Sequence, residues 1–342
     1  MPTPLPSVEL EARIKELVRV YRTARENIYA RLREGALTSF QEFRLQEHKK
    51  QINTIIRELD KAAVQVAEGI IPPMYEHGAD IAAVALRDQG KRVGNLNMGN
   101  RIHTRAVQAL TEQMAQDLLF ANSGILQQAT RILRKTQQAA INDRQINQLI
   151  AQGLAQGETR TEVSERLTAA LRKKVGLDDG IRITVRGEKS VRHFTPEYYA
   201  ELVARTQTRE ASTEGALRFG QERGYSLYRI STHEGACPMC QVYQGKIYSV
   251  TPHPDFPELD ARPPFHPNCT HIMTPVDPDT LKERGEYDAL SALSNDKGSF
   301  VHGSRDYDAI LEGAKPSREA KDWGEKSATR KRRTKSADVT LG

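Results

Sequence analysis

Ser7-Val-Glu-Leu-Glu-Ala-Arg-Ile-Lys-Glu-Leu-Val-Arg-Val-Tyr-Arg-Thr-Ala-Arg-Glu-Asn-Ile-Tyr-Ala-Arg-Leu-Arg-Glu34 is one uninterrupted amphipathic pattern. Leu10, Ile14, Leu17, Val18, Tyr21, Ile28 and Leu32 recur at helical spacing with Glu, Lys and Arg between them, so a single face is apolar from about Ser7 to Glu34. Gly35 predicts its end. Ser39 and Glu42 stand at capping-box spacing ahead of a second stripe, Ile52, Ile55, Ile56, Leu59, Ala63 and Val66, which stops near Gly69. Pro72-Pro73 opens the next expected helix, over 73–89, and more are expected over 101–121, 123–151 and 159–174. Gly94-Asn95, Asn122-Ser123-Gly124 and the stretch from Gly153 to Gly157 supply the breaks. Long helices with short joints predict a mainly α protein whose residues 1–175 form an elongated helical bundle or arm.

The texture changes after Gly176. Ile181 to Val185 and Ser190 to Phe194 flank Arg186-Gly-Glu-Lys189 and read as a short hairpin. Thr195-Pro196 starts a helix that runs to Gly220, since proline is tolerated where no intrahelical donor is needed. Tyr225 to Ile230 and Gln241 to Val250 read as two strands joined by a knuckle. Residues 176–285 are therefore expected to form a small α+β domain. From 286 to 342 the chain is polar and broken by Gly and Pro, and little order is expected there apart from an amphipathic piece near Tyr307 to Leu311.

With 342 residues, 38% hydrophobic and 27% charged, the chain is long and apolar enough to bury a core, which excludes a wholly disordered or collagen-like protein. The formal charge of +6 is mostly in the tail, where seven basic residues face three acidic ones from Lys321 to Gly342. A globally basic nucleic-acid surface is not indicated. Arg330, Lys331, Arg332, Arg333 and Lys335 form a flexible basic run able to lie along phosphates without sequence preference. No run approaches the roughly 18 apolar residues of a membrane helix, so no membrane anchor is expected. Met1 to Pro6 leads into a charged stretch in place of a signal-peptide core, which predicts synthesis in a reducing cytoplasm.

Chemistry is concentrated in one place. All three cysteines, and four of the nine histidines, fall between His233 and His271. Cys237-Pro-Met-Cys240 has the spacing with which one tight turn presents two thiolates to one ion, and after a 25-residue connection His266-Pro-Asn-Cys269-Thr-His271 offers further donors. Tetrahedral zinc takes four nitrogen or sulfur ligands, so Cys237, Cys240, Cys269, His266 and His271 are five candidates for four places. Four protein ligands leave no open position, and the expected Zn2+ is structural. A redox dithiol fits less well, because that motif opens a helix after a parallel strand.

The run Tyr199-Ala-Glu-Leu-Val-Ala-Arg-Thr-Gln207, the helix to Gly220, Cys-Pro-Met-Cys, Gly245-Lys-Ile-Tyr248 and Pro264-Phe-His-Pro-Asn-Cys-Thr-His271 together resemble the tailed-phage minor capsid proteins related to the Mu F-like head morphogenesis family. The likeness covers roughly residues 195–276 at motif level, and the helical N-terminal half with its Ile71-Pro-Pro-Met-Tyr75 step is also similar to the minor capsid branch. It implies a non-enzymatic virion component at the portal and capsid interior, acting in head morphogenesis, genome packaging or delivery. The implied partners are the portal protein, the capsid interior, packaged DNA through the tail, and a second copy through the N-terminal helices. Related proteins often end His-Pro-Asn-Cys-Arg-Cys, so His271 stands where a cysteine is common, which favours it over His266 as a ligand.

Two rival readings are weighed against this. His266, Asn268 and His271 beside a cysteine pair suggest a zinc-containing nuclease of the His-Asn-His type, yet all three lie within six residues instead of along a strand-loop-helix unit. A zinc-bearing DNA-binding adaptor is the other, and the near-neutral body counts against it. No phosphate loop, nucleophile elbow or framed carboxylate pair is present. Arg205 could hold a phosphate, but pairing with a carboxylate of the fold is the expected role.

Overall fold

The computed structural model describes residues 7–38, 42–142, 181–186, 191–266 and 268–312, with isolated positions between 148 and 162. Three long helices come first, α1 (Ser7–Thr38), α2 (Glu42–Asp88) and α3 (Arg101–Asn142). The antiparallel hairpin β1 (Ile183–Arg186) and β2 (Val191–Phe194) follows, then α4 (Pro196–Glu222). The remainder is β3 (Leu227–Ile230), the helical turn α5 (Pro238–Gln241), β4 (Ile247–Ser249), β5 (Met273–Val276), α6 (Pro278–Glu283), α7 (Tyr287–Asn295) and α8 (Ser304–Leu311). The protein is mainly α, as its periodicity predicts.

The expected division near residue 176 follows sequence order, whereas packing groups the chain differently. Among the described residues, one compact unit comprises 7–70 and 111–205, and the other comprises 71–110 and 206–312.

In the first unit the predicted stripes are the buried faces, Ile14, Leu17, Tyr21, Ile28 and Leu32 on α1 and Ile52, Ile56, Leu59 and Ala63 on α2, and Met114, Leu118, Ile125 and Ala129 form the buried face of α3. Each large aliphatic side chain so buried contributes about 1.5–3 kcal/mol. Two predicted breaks are absent, each for a tertiary reason. Pro73 lacks the N–H that would serve the Gly69 carbonyl, and Arg13 Nη1 donates to that carbonyl at 3.2 Å, so α2 continues through Pro72-Pro73. A Cβ on Gly69 would stand 2.4 Å from that guanidinium nitrogen, so glycine is what admits it. Asn122 does not turn the chain; it is fully buried in α3 and its Nδ2 donates to Asp60 Oδ1 at 2.8 Å. Arg205 spends its fork on Glu11 at 2.7 and 3.0 Å and on Glu201 at 3.0 Å, the carboxylate role expected of it. The proposed Ser39 cap, the hairpin turn at 187–190 and most of the 159–174 helix lie outside the described residues.

In the second unit α2 and α4 cross at glycines on both sides. A Cβ at Gly78 would lie 1.8 Å from the Ser212 carbonyl oxygen, and one at Gly215 would lie 2.0 Å from the Tyr75 carbonyl oxygen. Ala79, Ala82, Ala83, Leu86, Ala216 and Phe219 close around that crossing. The end of α2 is tied to the sheet by Gln89, which donates to the Pro275 carbonyl and accepts from Asp277 N–H. β3 is the central strand of an antiparallel sheet ordered β4-β3-β5. The segment from Gln241 to Val250 is a strand only at Ile247–Ser249, because Tyr243 to Gly245 turn, Gly245 having a φ of 76°. The expectation of little structure after 285 is corrected for 287–306, while the amphipathic piece expected near Tyr307 to Leu311 lies in α8: Leu290, Leu293, Val301, Tyr307 and Ile310 share one core with Leu227, Ile247, Phe256, Val276 and Leu281. The rest of the C-terminal segment, from 313, lies outside the described residues.

Candidate metal centre

Antiparallel pairing of Ile230 with Met273 places the chain leaving β3 beside the chain entering β5, and Ser231 N–H donates to the Ile272 carbonyl at 2.9 Å. Each of these neighbouring segments carries a knuckle. In the first, the Cys237 carbonyl accepts from Cys240 N–H at 2.9 Å and Gln241 N–H at 3.0 Å, with Pro238 at the first helical position, so both sulfurs leave one turn. In the second, Cys269 N–H donates to the His266 carbonyl at 3.0 Å, and Asn268 takes a φ of 69°, a conformation asparagine tolerates better than most residues.

The five predicted side chains converge. Cys237, Cys240 and His266 form one group of donor atoms within 4.8 Å of one another, and Cys240, Cys269 and His271 form a second, sharing Cys240. His266 Nε2 is 3.3 Å from Cys237 Sγ and 3.1 Å from Cys240 Sγ; Cys240 and Cys269 sulfurs are 3.9 Å apart; His271 Nδ1 is 3.6 Å from Cys269 Sγ. Either group could hold a metal ion. Zinc–sulfur bonds of about 2.3 Å and zinc–nitrogen bonds of about 2.0–2.1 Å give tetrahedral edges of about 3.8 Å between sulfurs and about 3.6 Å from sulfur to nitrogen. The Cys240–Cys269 and Cys269–His271 separations match those edges, while both His266 separations are shorter.

The electrostatics fit a cation as well. Burial, then the neighbouring Cys237 and Cys269, push the Cys240 thiol well up, so crowded thiolates here need a positive charge among them. Burial, reinforced by His233 and His266, pushes His271 down to about 4, which leaves a neutral imidazole able to ligate. Cys240, Cys269 and His271 are buried, Cys237 and His266 are half-buried.

Gln244 is the residue that spacing did not reveal. It is fully buried, and its Oε1 lies 2.8 Å from His271 Nε2 and accepts from His233 N–H at 3.1 Å, while its Nε2 donates to the Val301 carbonyl. Its only sequence cue is a polar residue four places after Cys240, within the turn, bonding back through its N–H to the Cys240 carbonyl at 2.9 Å. His233 meets the His271 ring edge-on at 4.6 Å between centroids, and Phe265 stacks on Tyr243 at 4.4 Å. The tail residues Arg330, Lys331, Arg332, Arg333 and Lys335 lie outside the described residues.

The family described as phage minor capsid protein 2 matches residues 9–298, a span that includes both knuckles. The chain belongs to that family. The resemblance drawn from both halves of the sequence is thereby shown at the level of a phage minor capsid protein with a structural capsid role. No curated protein and no solved structure matches the chain. Among the described residues, no helix of this family member is long and apolar enough to cross a membrane.

Proposed function

We propose that this minor capsid protein is a low-copy, non-enzymatic component of the capsid interior at the portal vertex, acting in head morphogenesis, genome packaging or delivery. The observation that carries the reading is the family match over 9–298. The helical segments support docking to a ring or to a second copy, since α1 alone runs 32 residues, about 48 Å, with a patterned exterior and no catalytic grouping. The cluster of Cys237, Cys240 and Cys269 with one of His266 and His271 holds a structural Zn2+ that staples the sheet of β3, β4 and β5. Zinc with four protein ligands offers no open coordination position, and His271, buried against thiols, is not presented to a substrate; both points weigh against nuclease chemistry. The body at residues 1–175 and the zinc domain at 176–285 remain the proposed division by role, with the basic run at 330–335 lying on packaged DNA.

Mass-spectrometric counting of the chain in purified virions against the major capsid protein tests this reading. A ratio of a few per hundred is expected. Absence from virions, or parity with the major protein, refutes it.

A further inference from the structure

We propose that Gln244 is the positioning residue of the metal centre, and that it selects His271, through Nδ1, as the imidazole ligand beside Cys240 and Cys269. This rests on the reading of the cluster as a zinc site.

Two backbone groups beside Gln244 have hydrogen-bonding roles that are not adjustable. His233 N–H can only donate, and it points at one end of the Gln244 amide at 3.1 Å; the Val301 carbonyl can only accept, and it receives the other end. Together they fix which end is oxygen and which is nitrogen, without appeal to any side chain. The oxygen is therefore the atom 2.8 Å from His271 Nε2, and that imidazole nitrogen carries a hydrogen. In the neutral ring the lone pair is then on Nδ1, the atom 3.6 Å from Cys269 Sγ. A ligating histidine is oriented in just this way, one nitrogen donating to a fixed acceptor and the other left free for the ion.

His266 is placed differently. It is half-buried at the start of the second knuckle, and its Nε2 stands 3.1 and 3.3 Å from two sulfurs, hydrogen-bond separations shorter than a tetrahedral sulfur–nitrogen edge. His271 is enclosed by His233 and Phe265, with ring centroids 4.6 and 6.2 Å away, so its ring plane is held as well as its tautomer. The second arm of Gln244 reaches Val301, in the core that carries α8, so the amide also joins the centre to the last described helix.

The test uses the full chain and Zn2+ or Co2+ alone, titrated against a chromophoric chelator. Gln244→Leu keeps bulk and removes both arms; affinity is expected to fall by about 10- to 100-fold. Gln244→Glu keeps an acceptor for His271 and His233 but sets a carboxylate oxygen against the Val301 carbonyl, so affinity is expected to fall less than in Gln244→Leu. His271→Ala should weaken binding more than Gln244→Leu and alter the Co2+ ligand-field bands, whereas His266→Ala should leave those bands unchanged. On loading with 113Cd, a one-bond metal coupling should appear on Nδ1 of one 15N-labelled histidine. If the parent chain binds neither metal, the zinc reading fails and the inference with it. If the parent chain binds and Gln244→Leu binds equally tightly, or the coupling falls on an Nε2 that His266→Ala removes, the zinc site stands and this inference is overturned. Should Gln244→Leu fail to fold, the cadmium coupling in the parent chain still decides.

Discussion

Gly78→Ala is a perturbation whose sign the structure sets against helix propensity. In an open helix position the change would stabilise by about 1 kcal/mol, because alanine loses less backbone entropy on folding. At Gly78 the new Cβ would stand 1.8 Å from the Ser212 carbonyl oxygen, where 3.4 Å is ordinary contact. The obstacle is backbone of another helix, so no side chain can swing away, and α2 and α4 must part by about 1.5 Å. The reciprocal contact of Gly215 with the Tyr75 carbonyl then opens too, and the packing of Ala79, Ala82, Ala83, Leu86, Ala216 and Phe219 loosens. A radial gap of that size forfeits half or more of each dispersion contact, and overpacking typically costs 1–3 kcal/mol, so a net loss of about 3 kcal/mol is expected. Gly124→Ala is the control: it sits within α3 with nothing within 4 Å of its Cβ position and should stabilise by about 1 kcal/mol. Site-resolved hydrogen exchange reads each effect in its own helices. Gly78→Ala with protection equal to the parent chain would refute the account of the crossing.

Further outcomes follow from the same contacts. Chelation of the native chain, or Cys240→Ser, should expose the amides of 225–276 to exchange while leaving those of 10–32 protected, since a structural zinc can supply about 10 kcal/mol or more of apparent binding energy; unchanged exchange in both regions would count against a metal staple. Asp277 caps α6 through Thr280 N–H at 2.8 Å and pairs with Lys91 at 2.7 Å. Burial works against its charge, but Lys91 and Thr280 outweigh it and hold the carboxyl below the usual range. A depressed native value means stability present above the unfolded carboxyl range and lost as pH falls through the native one. Asp277→Asn should therefore cost about 1–2 kcal/mol near neutrality in denaturant titration, and the gap to the parent chain should shrink below about pH 4. A version ending at Asp322 should bind duplex DNA more weakly than the full chain, with a shallower salt dependence, each phosphate neutralised contributing about −0.9 to the log-log slope; equal slopes would reduce the basic run to a solubilising tail.

The helical faces were legible because burial repeats with the helical period: residues such as Leu17, Tyr21, Ile28 and Leu59 sit where the stripes put them. The joints were not, because continuity at Pro72-Pro73 depends on Arg13, and at Asn122 on Asp60, partners far away along the chain. Local sequence carries no trace of such partners. The clustered cysteines and histidines were legible by scarcity and spacing. Gln244 was not, since an amide has no ligand chemistry and acts through His271. Helix α7 escaped for another reason: it buries only three side chains, Leu290, Leu293 and Ser294, too few to establish a period, whereas most of α8 was visible as the amphipathic piece from Tyr307 to Leu311.

The proposed place at the portal vertex is tested most directly by coexpressing the full chain with its phage's portal protein and measuring the mass of the purified ring. The account predicts a ring heavier than the bare portal by a whole number of copies of this 38.4 kDa chain. A portal ring of unaltered mass, with the folded chain recovered separately, would contradict it.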